Sequence, residues 1–254
     1  MAQDPQSAGS RTDCQQDWMA ALPAPCSLTL GALYSRQPQA GEDGQLQPID
    51  ATTRIKPEEG LELLRLARDL QAGALLEIGL AYGFSTQFLL ASLVPRGGRL
   101  VALDPFQSSD WHGVGRGLAE RTAAALSRDP ASGAPVRFQW LSEPSHRGLP
   151  ALEAAGERFD LIFIDGYHRF DDVLIDVTLA ARLCRPGGVI VLHDLWLPSV
   201  RSVVAFLESN RADLERLPTR CRNLGVFRLR GEDQRNWDHF VPFASASESW
   251  LDQA

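Results

Sequence analysis

The segment that decides the fold is Leu75-Leu76-Glu77-Ile78-Gly79-Leu80-Ala81-Tyr82-Gly83-Phe84-Ser85-Thr86, an apolar run followed by an acidic residue and a Gly-x-x-x-Gly turn. A strand ending at Glu77, a turn whose glycines let the backbone approach a ligand, and a helix beginning near Ser85 are typical of a nucleoside-cofactor site. Ala81 stands where a dinucleotide site needs a second glycine to seat a pyrophosphate. The spacing therefore favours S-adenosylmethionine, which carries no phosphate.

The composition indicates one α/β domain with an extension. The chain has 254 residues and a formal net charge of -7. Because phosphate backbones are bound by clustered Lys and Arg, this balance argues against a nucleic-acid partner. The four cysteines are scattered with no Cys-x-x-Cys pair, and we find neither a leader peptide nor an apolar span of about 20 residues. We therefore expect a cytoplasmic protein with reduced thiols and no membrane partner.

Residues 1–50 differ in composition from the rest of the chain. Pro, Gln, Ser and Gly are frequent there, and the main apolar patch runs only from residue 28 to 34. We expect an N-terminal arm or lid over residues 1–50, partly flexible, followed by a cofactor-binding domain over residues 51–254. A helix that begins at Pro57 would feed the first strand of that domain.

Short apolar runs then alternate with helical patterns. We predict strands near residues 74–79, 99–104, 136–141, 159–165 and 188–193, and helices near residues 84–93, 114–127, 146–155, 169–184 and 199–209. This alternation predicts βαβ units around a parallel sheet, and residues 214–217 and 224–229 would add a closing antiparallel pair. The predicted fold class is α/β, a Rossmann-like, doubly wound, seven-stranded mixed sheet with a C-terminal antiparallel strand pair.

Acidic residues end four of the five predicted parallel strands. They are Glu77, Asp104, Asp165 and the pair His193-Asp194. Ligands of open α/β sheets bind outside the carboxyl ends of the strands, so these side chains are candidate site residues. Asp104 lies 25 residues after Gly79, close to the offset at which an acid binds ribose hydroxyls. The alternative is that Asp104 caps the next helix or turns the chain before Pro105.

Four segments carry a resemblance to a known family: 77–85 (EIGLAYGFS), 103–106 (LDPF), 159–168 (FDLIFIDGYH) and 185–194 (RPGGVIVLHD). In order and spacing they resemble class I S-adenosylmethionine-dependent methyltransferases. Within that superfamily the chain is most similar, over roughly residues 50–230, to catechol and caffeoyl-coenzyme A O-methyltransferases and their bacterial small-molecule relatives. Segment 52–60 is similar to the part of those enzymes whose backbone closes over the methionine end of the cofactor.

The resemblance implies roles for individual residues. Glu77 and Gly79 would lie beside the methionine moiety, Ser85 near its carboxylate and Asp104 on the ribose. Adenine contacts would come from Phe106 and from the loop after the third predicted strand. The full expected cofactor-binding set is Thr53, Glu77, Gly79, Tyr82, Gly83, Ser85, Asp104, Pro105, Phe106, Ser142, Glu143 and Asp165.

The resemblance also bears on a metal. In the catechol branch a divalent metal lies between an Asp ending the fourth strand and an Asp-Asn pair ending the fifth. Asp165 and Asp194 match the two carboxylates, but Leu195 replaces the Asn. Mg²⁺ demands hard oxygen ligands, whereas His193 as third ligand would shift the preference toward a transition metal. A metal site of Asp165, His193 and Asp194 and a metal-free reaction both stay open.

Two histidines are candidate catalytic bases. His168 stands where the catechol branch has a lysine, and an unperturbed histidine has a pKa of about 6.5, so its lone pair is free near neutral pH. The alternative is that His168 caps or packs against the helix that begins near Arg169. His193 is the second candidate. We expect Trp196 and the loop at residues 111–113 to shape the acceptor pocket together with the N-terminal arm.

The sequence thus predicts a methyltransferase that acts on a small hydroxylated metabolite. The predicted reaction transfers the methyl group to an oxygen atom, with or without help from a metal. One alternative is a nucleotide-dependent oxidoreductase, for which Glu77 and Asp104 would also serve. Another is a module that binds the cofactor without turnover, which the departure at Leu195 keeps open. Because the related enzymes are often dimers, the resemblance also implies a homodimer.

Overall fold

The computed structural model describes residues 17–129 and 133–244. The helices are α1 (Ala24–Tyr34), α2 (Pro57–Asp69), α3 (Phe84–Ser92), α4 (Val114–Arg128), α5 (Ser145–Ala154), α6 (Phe170–Leu183) and α7 (Pro198–Asn210), with short 3₁₀ helices at Asp17–Ala21 and Ala51–Thr53. The strands are β1 (Gln39–Ala40), β2 (Leu46–Gln47), β3 (Ala74–Ile78), β4 (Gly98–Leu103), β5 (Val136–Leu141), β6 (Phe159–Ile164), β7 (Cys184–Leu192), β8 (Leu214–Leu217) and β9 (Gly225–Leu229).

Strands β3 to β9 form one seven-stranded sheet in the order β5-β4-β3-β6-β7-β9-β8. The five strands β3 to β7 run parallel, and β9 is antiparallel to both β7 and β8. The predicted mixed sheet with its C-terminal antiparallel pair is confirmed. The strand order reverses between β3 and β6, and such a switch point is where open α/β sheets bind ligands.

The apolar residues of the strands divide between two cores because successive side chains of a strand point to opposite faces. In β3, Leu75 joins the core shared with α1 to α4, whereas Leu76 joins the core shared with α5 to α7. Both leucines are fully buried, and burial of such a side chain contributes about 1.5–3 kcal/mol. Helices on both faces therefore hold the central strands, as the doubly wound prediction requires.

The turn after β3 needs glycine at one position for two separate reasons. Gly79 has a φ of +91°, a conformation that L side chains rarely adopt. A Cβ at Gly79 would also lie 2.1 Å from the carbonyl oxygen of Asp165, which follows β6. The turn of the glycine loop is thus pressed against the end of the neighbouring strand, and this contact joins the two halves of the switch point.

Part of the segment predicted as an arm is built into the core. Helix α1 buries Cys26, Leu30 and Leu33 in the same apolar core as α3 and α4. The hydroxyl of Tyr34 donates a hydrogen bond of 2.7 Å to the carbonyl of Ile55, so α1 also supports the segment that precedes α2. The domain boundary at residue 50 stays a prediction, and residues 1–16 lie outside the described part of the chain.

Two element boundaries differ from the prediction. Strand β7 begins at Cys184, four residues before the predicted start near 188, and α6 ends at Leu183. The pairing of β6 with β7 shifts its register between Phe159 and Leu161, so the early part of β7 is irregular. This irregularity accommodates a Pro-Gly-Gly sequence that otherwise reads as a turn. Within the described residues, no helix has both the length and the apolar character needed to cross a bilayer.

Candidate active site

A cavity of about 770 Å³ opens at the carboxyl ends of β3, β6 and β7. Its walls are drawn from segments 52–59, 79–85, 165–168, 193–196 and 220–223, together with Trp111. The glycine loop and the acidic ends of two other strands therefore face one space. That volume is within the range of small-molecule sites in proteins.

The predicted cofactor-binding residues divide into three groups in the structure. Six line the cavity: Thr53, Gly79, Tyr82, Gly83, Ser85 and Asp165. Glu77 and Asp104 are buried behind the glycine loop. Pro105 and Phe106 are half-buried, Ser142 and Glu143 are exposed, and none of these four is among the described residues that line the cavity. The adenine contacts assigned to these four residues stay a prediction.

Glu77 supports the loop from behind. The hydroxyls of Ser85 and Thr86 donate hydrogen bonds of 2.5 and 2.7 Å to its two carboxylate oxygens. Burial raises the pKa of Glu77 to about 8, although these two hydrogen bonds act in the opposite direction. Glu77 therefore fixes the first turn of α3, and Ser85, which lines the cavity, is held in place by it.

Asp104 holds the glycine loop through backbone hydrogen bonds. Its Oδ2 accepts from the amides of Leu80 and Ala81 at 3.2 and 2.9 Å, and from the side-chain amide of Gln107 at 3.0 Å. Its Oδ1 accepts from the amide of Phe106 at 2.8 Å. A carboxylate offers about four lone-pair directions, so a ribose hydroxyl has to share or replace one of these contacts. Binding of ribose by Asp104 stays a prediction.

A cluster of two histidines and three carboxylates forms the other wall of the cavity. The Nε2 of His168 lies 3.1 Å from Asp194 and 3.4 Å from Asp165. The Nδ1 of His193 lies 3.0 Å from Asp165, and its Nε2 lies 3.2 Å from Glu59 on α2. Both predicted bases are thus brought together with both predicted metal carboxylates.

The carboxylates change the protonation state of both histidines. Hydrogen bonds to Asp165 and then Asp194 raise the pKa of His168 to about 9, against the lowering effect of burial. Burial likewise lowers the pKa of His193, but the charge of Asp165 and the hydrogen bonds to Asp165 and Glu59 raise it to about 11. In this arrangement both rings are in the imidazolium form near neutral pH, with a proton on each ring nitrogen. The expectation of a free lone pair on His168 near neutral pH is therefore wrong.

The pKa of Asp165 shifts in the opposite direction. Burial alone would raise it, but the charge of His193 and the hydrogen bond from His168 hold it well below its usual range. The pKa of Asp194 is lowered for the same reasons. The floor of the cavity is therefore an ionised network in which positive imidazolium rings lie between negative carboxylates.

Asp165, His168 and Asp194 also have the chemistry of a cation site. One ligand atom from each residue lies within 4.8 Å of the others. Two carboxylates and an imidazole are ligands of divalent transition metals. The set differs from the predicted Asp165, His193 and Asp194, because both ring nitrogens of His193 already contact carboxylates and the ring is buried.

Two residues of the site were missed by sequence reasoning. Glu59 was not singled out as a site residue, yet its carboxylate accepts from the Lys56 amide at 2.8 Å and contacts His193. Asn223, in the turn between β8 and β9, places its side-chain amide 3.2 Å from His193 and 3.3 Å from Asp194. An amide thus stands near Asp194 although Leu195 replaces the expected Asn and is buried.

Two tryptophans that were expected to shape an acceptor pocket line the cavity. Trp196 is 55% exposed, and its ring N–H donates a hydrogen bond of 2.9 Å to Asp194. The ring of Trp111 packs edge-on against Tyr82 at 5.2 Å between centroids. Contact of either ring with a methyl acceptor stays a prediction.

Comparisons with known proteins agree with this geometry. A family model described as a methyltransferase domain matches residues 76–195. The catechol O-methyltransferase of Mycobacterium tuberculosis (strain ATCC 25618 / H37Rv) is 33% identical over 159 residues, which is 63% of this chain and 63% of that protein. The chain therefore spans less than two thirds of the length of this relative.

Solved structures share the fold at lower sequence identity. The cofactor-bound protein Rv0187 from MTB aligns with 90% of this chain and 100% of its own at a TM-score of 0.61 and 21% identity. An O-methyltransferase from Bacillus cereus in complex with SAH aligns with 82% of this chain and 91% of its own at a TM-score of 0.55 and 21% identity.

Residues 76–195, which include the glycine loop and the acidic strand ends, match a methyltransferase domain. The chain is also similar to an O-methyltransferase, the relative from M. tuberculosis, over 63% of its length. These similarities favour a methyltransferase over the alternative of a nucleotide-dependent oxidoreductase.

Proposed function

We propose that the protein transfers the methyl group of S-adenosylmethionine to an oxygen atom of a small hydroxylated acceptor. One observation carries the proposal: the glycine loop and the histidine–carboxylate cluster line the same cavity. The close approach of Gly79 to the Asp165 carbonyl joins these two parts. A cofactor on the loop and an acceptor at the cluster would then be held side by side.

Methyl transfer to oxygen is an in-line displacement at a sulfonium, so much of the rate depends on position. The acceptor oxygen has to lie about 3 Å from the methyl group, with water excluded. Buried Asp104 holds the turn through the amides of Leu80 and Ala81, and buried Glu77 holds the helix start through the hydroxyls of Ser85 and Thr86. Trp111 and Trp196 would bound the acceptor side. These groups supply the positioning.

His168 is the catalytic base in this proposal. It lines the cavity and is half-buried, whereas His193 is buried and has carboxylates at both ring nitrogens. Because His168 is protonated when it bridges Asp165 and Asp194, its proton has to leave before it accepts one from the acceptor hydroxyl. Asp165 and Asp194 would orient that hydroxyl, and Glu59 would orient His193 beside them.

A divalent cation fits the same residues. Asp165, His168 and Asp194 would hold it, and when bound it would polarise the acceptor hydroxyl and lower the pKa of that group. The nitrogen ligand favours a transition metal such as Mn²⁺ or Zn²⁺ over Mg²⁺. Metal dependence is thus a part of the proposal that can be tested separately from cofactor binding.

The first experiment is a calorimetric titration with S-adenosylhomocysteine, with NAD⁺ as the comparison ligand and with Mg²⁺, Mn²⁺ or chelator present. We expect micromolar binding of S-adenosylhomocysteine and none of NAD⁺. A panel of hydroxylated acceptors then tests turnover by mass spectrometry. Cofactor binding without methylation of any acceptor would favour the module that lacks turnover, and binding of NAD⁺ alone would contradict the proposal.

Two further expectations from the sequence remain part of the proposal. We propose a homodimer, which the resemblance implies, and a cytoplasmic location, which the sequence predicts. Light scattering coupled to gel filtration tests the first, and fractionation of the native host tests the second. A monomer over the whole accessible concentration range would contradict the dimer.

A further inference from the structure

Four cations line the mouth of the active-site cavity, above its acidic floor. Arg54 and Lys56 precede α2, and Arg220 and Arg222 lie in the turn between β8 and β9. All four are exposed, whereas Asp165 on the floor is partly buried. The two segments lie close to each other, because the Cys221 thiol contacts the carbonyl of Glu58 at the start of α2. A positive mouth thus faces a cluster that contains three carboxylates.

Hydrogen bonds to α2 fix the position of the second segment. Glu62 accepts from the Thr219 hydroxyl and from the Arg220 amide, both at 3.3 Å. The Cys221 thiol donates to the Glu58 carbonyl at 3.3 Å. The backbone that carries Arg220 is therefore attached to the same helix that Lys56 precedes.

Three of these cations have no carboxylate partner among the described residues. Within residues 17–129 and 133–244, no ion pair joins Arg54, Lys56 or Arg220 to an acid, whereas Arg65 on α2 pairs with Glu62 and Asp69. Glu58 is the exposed acid among the residues that line the mouth. A local excess of positive charge is notable in a chain whose formal net charge is -7.

We propose that the methyl acceptor is a hydroxylated acid, with its anionic group held by Arg54, Lys56 and Arg220 and its hydroxyl directed to Asp165 and His168. This inference rests on the proposed function, which leaves the acceptor class open. A neutral acceptor would leave the three cations unpaired, and an acceptor that carried its anion next to the hydroxyl would place it against the carboxylates. The mouth therefore selects acids in which anion and hydroxyl stand at opposite ends.

The test compares acids with their primary amides, which have nearly the same shape and no charge. The probes are 3,4-dihydroxybenzoate and 3-(3,4-dihydroxyphenyl)propanoate, each with its amide, which together sample two spans between hydroxyl and anion. At low salt we expect kcat/KM for the better acid to exceed that of its amide roughly tenfold, because the acid has the lower KM. The ratio should decrease as added salt screens the exposed cations.

Variants locate the effect. In the double variant Arg54→Gln, Arg220→Gln the preference for acid should fall to about one. Arg68→Gln is the matched control, because Arg68 is exposed on α2 and does not line the cavity. This control should keep the full preference for the acid.

Four results would overturn the inference. The first is equal or better use of the amide, and the second is a preference for acid that survives in the double variant. The third is binding of S-adenosylhomocysteine with no binding or methylation of either acid, which leaves the methyltransferase function intact. A loss of cofactor affinity in the double variant without a change in acid preference would assign the cations to the cofactor and equally contradict the proposal. Failure of the wild-type protein to bind S-adenosylhomocysteine would instead overturn the proposed function itself.

Discussion

The Oε2 atom of Glu59 lies 3.2 Å from the Nε2 atom of His193, so a buried contact joins the start of α2 to the end of β7. The two residues are 3% and 7% exposed, which removes this charge pair from the screening effect of solvent. Through His193 the contact extends to Asp165, which lines the cavity. The first turn of α2 is thereby a structural part of the active site.

Replacing Glu59 by Gln should lower the pKa of His193 from its value of about 11, because the ring loses one of the groups that stabilise its charge. The free energy of unfolding should fall by about 1–3 kcal/mol, the cost of a weakened buried hydrogen bond to a charged group. NMR titration of the histidine rings and urea denaturation measure the two effects. Glu58→Gln, at an exposed neighbour, is the control, and an unchanged His193 titration would contradict the assignment.

Gly79→Ala should destabilise the protein by about 2–4 kcal/mol, because the new Cβ combines a strained φ with a clash against backbone. The clash is with the Asp165 carbonyl at 2.1 Å, so S-adenosylhomocysteine binding should also be lost. Gly73→Ala provides the contrast, since a Cβ there meets nothing within 4 Å. Thermal unfolding and calorimetry check both variants. Equal stability of the two would show that the close approach can relax.

Asp104→Asn should weaken S-adenosylhomocysteine binding at least tenfold. An amide nitrogen cannot accept hydrogen bonds, so either the loop amides of Leu80 and Ala81 or the Phe106 amide loses its acceptor. Asp110→Asn, at an exposed position of the following loop, should leave affinity within about twofold. Isothermal titration of both variants decides the matter, and full affinity in Asp104→Asn would separate this carboxylate from cofactor binding.

His168→Gln should lower turnover by roughly 10²–10⁴, the usual contribution of a general base, while S-adenosylhomocysteine affinity remains unchanged. His146→Gln, at an exposed histidine, should retain full activity. Initial rates over a range of pH distinguish a catalytic base from a structural residue. If His168 is the base, the ionisation that controls kcat in the wild-type protein should be absent from the pH profile of the variant. Full activity in His168→Gln would transfer the role to His193 or to a metal-bound group.

The stability of the protein should decline as pH rises above about 6.5. The pKa of His168 is raised from 6.5 to about 9 and that of His193 to about 11, so the folded state binds more protons than the unfolded state in this range. Glu77, with a pKa raised from 4.5 to about 8, acts in the same direction. Urea denaturation at pH 6, 7.5 and 9 should give falling free energies. Above pH 7 the free energy of unfolding should fall less steeply with pH in His168→Gln than in the wild-type protein. An identical dependence on pH would exclude His168 as its source.

The fold was predictable because its information is local and repeated. Each central strand is a short apolar run. All residues of β3 are buried, and the glycine turn follows directly after it. The acids at strand ends could be assigned to one edge because parallel strands present their carboxyl ends together. Helix α1 was less predictable, since its apolar residues are few and its burial depends on packing against α3 and α4.

Most of the predicted residues that line the cavity follow strands, and Thr53, in the segment before α2, is an exception. Asn223 belongs to a hairpin turn, and nothing in the local sequence indicates that its amide returns to Asp194. The protonation of His168 depends on distances to two carboxylates that the sequence does not contain. The prediction from the intrinsic pKa of histidine placed His168 beside Asp165, as the structure has it, but it assigned a neutral ring where the structure favours a charged one.

The turn between β8 and β9 has a consequence for synthesis of the protein. This turn closes the cavity against α2 with Arg220, Cys221 and Asn223. It leaves the ribosome long after the glycine loop and Asp104. Domains generally fold as units. The cavity can thus close on this side only after the last hairpin has been made.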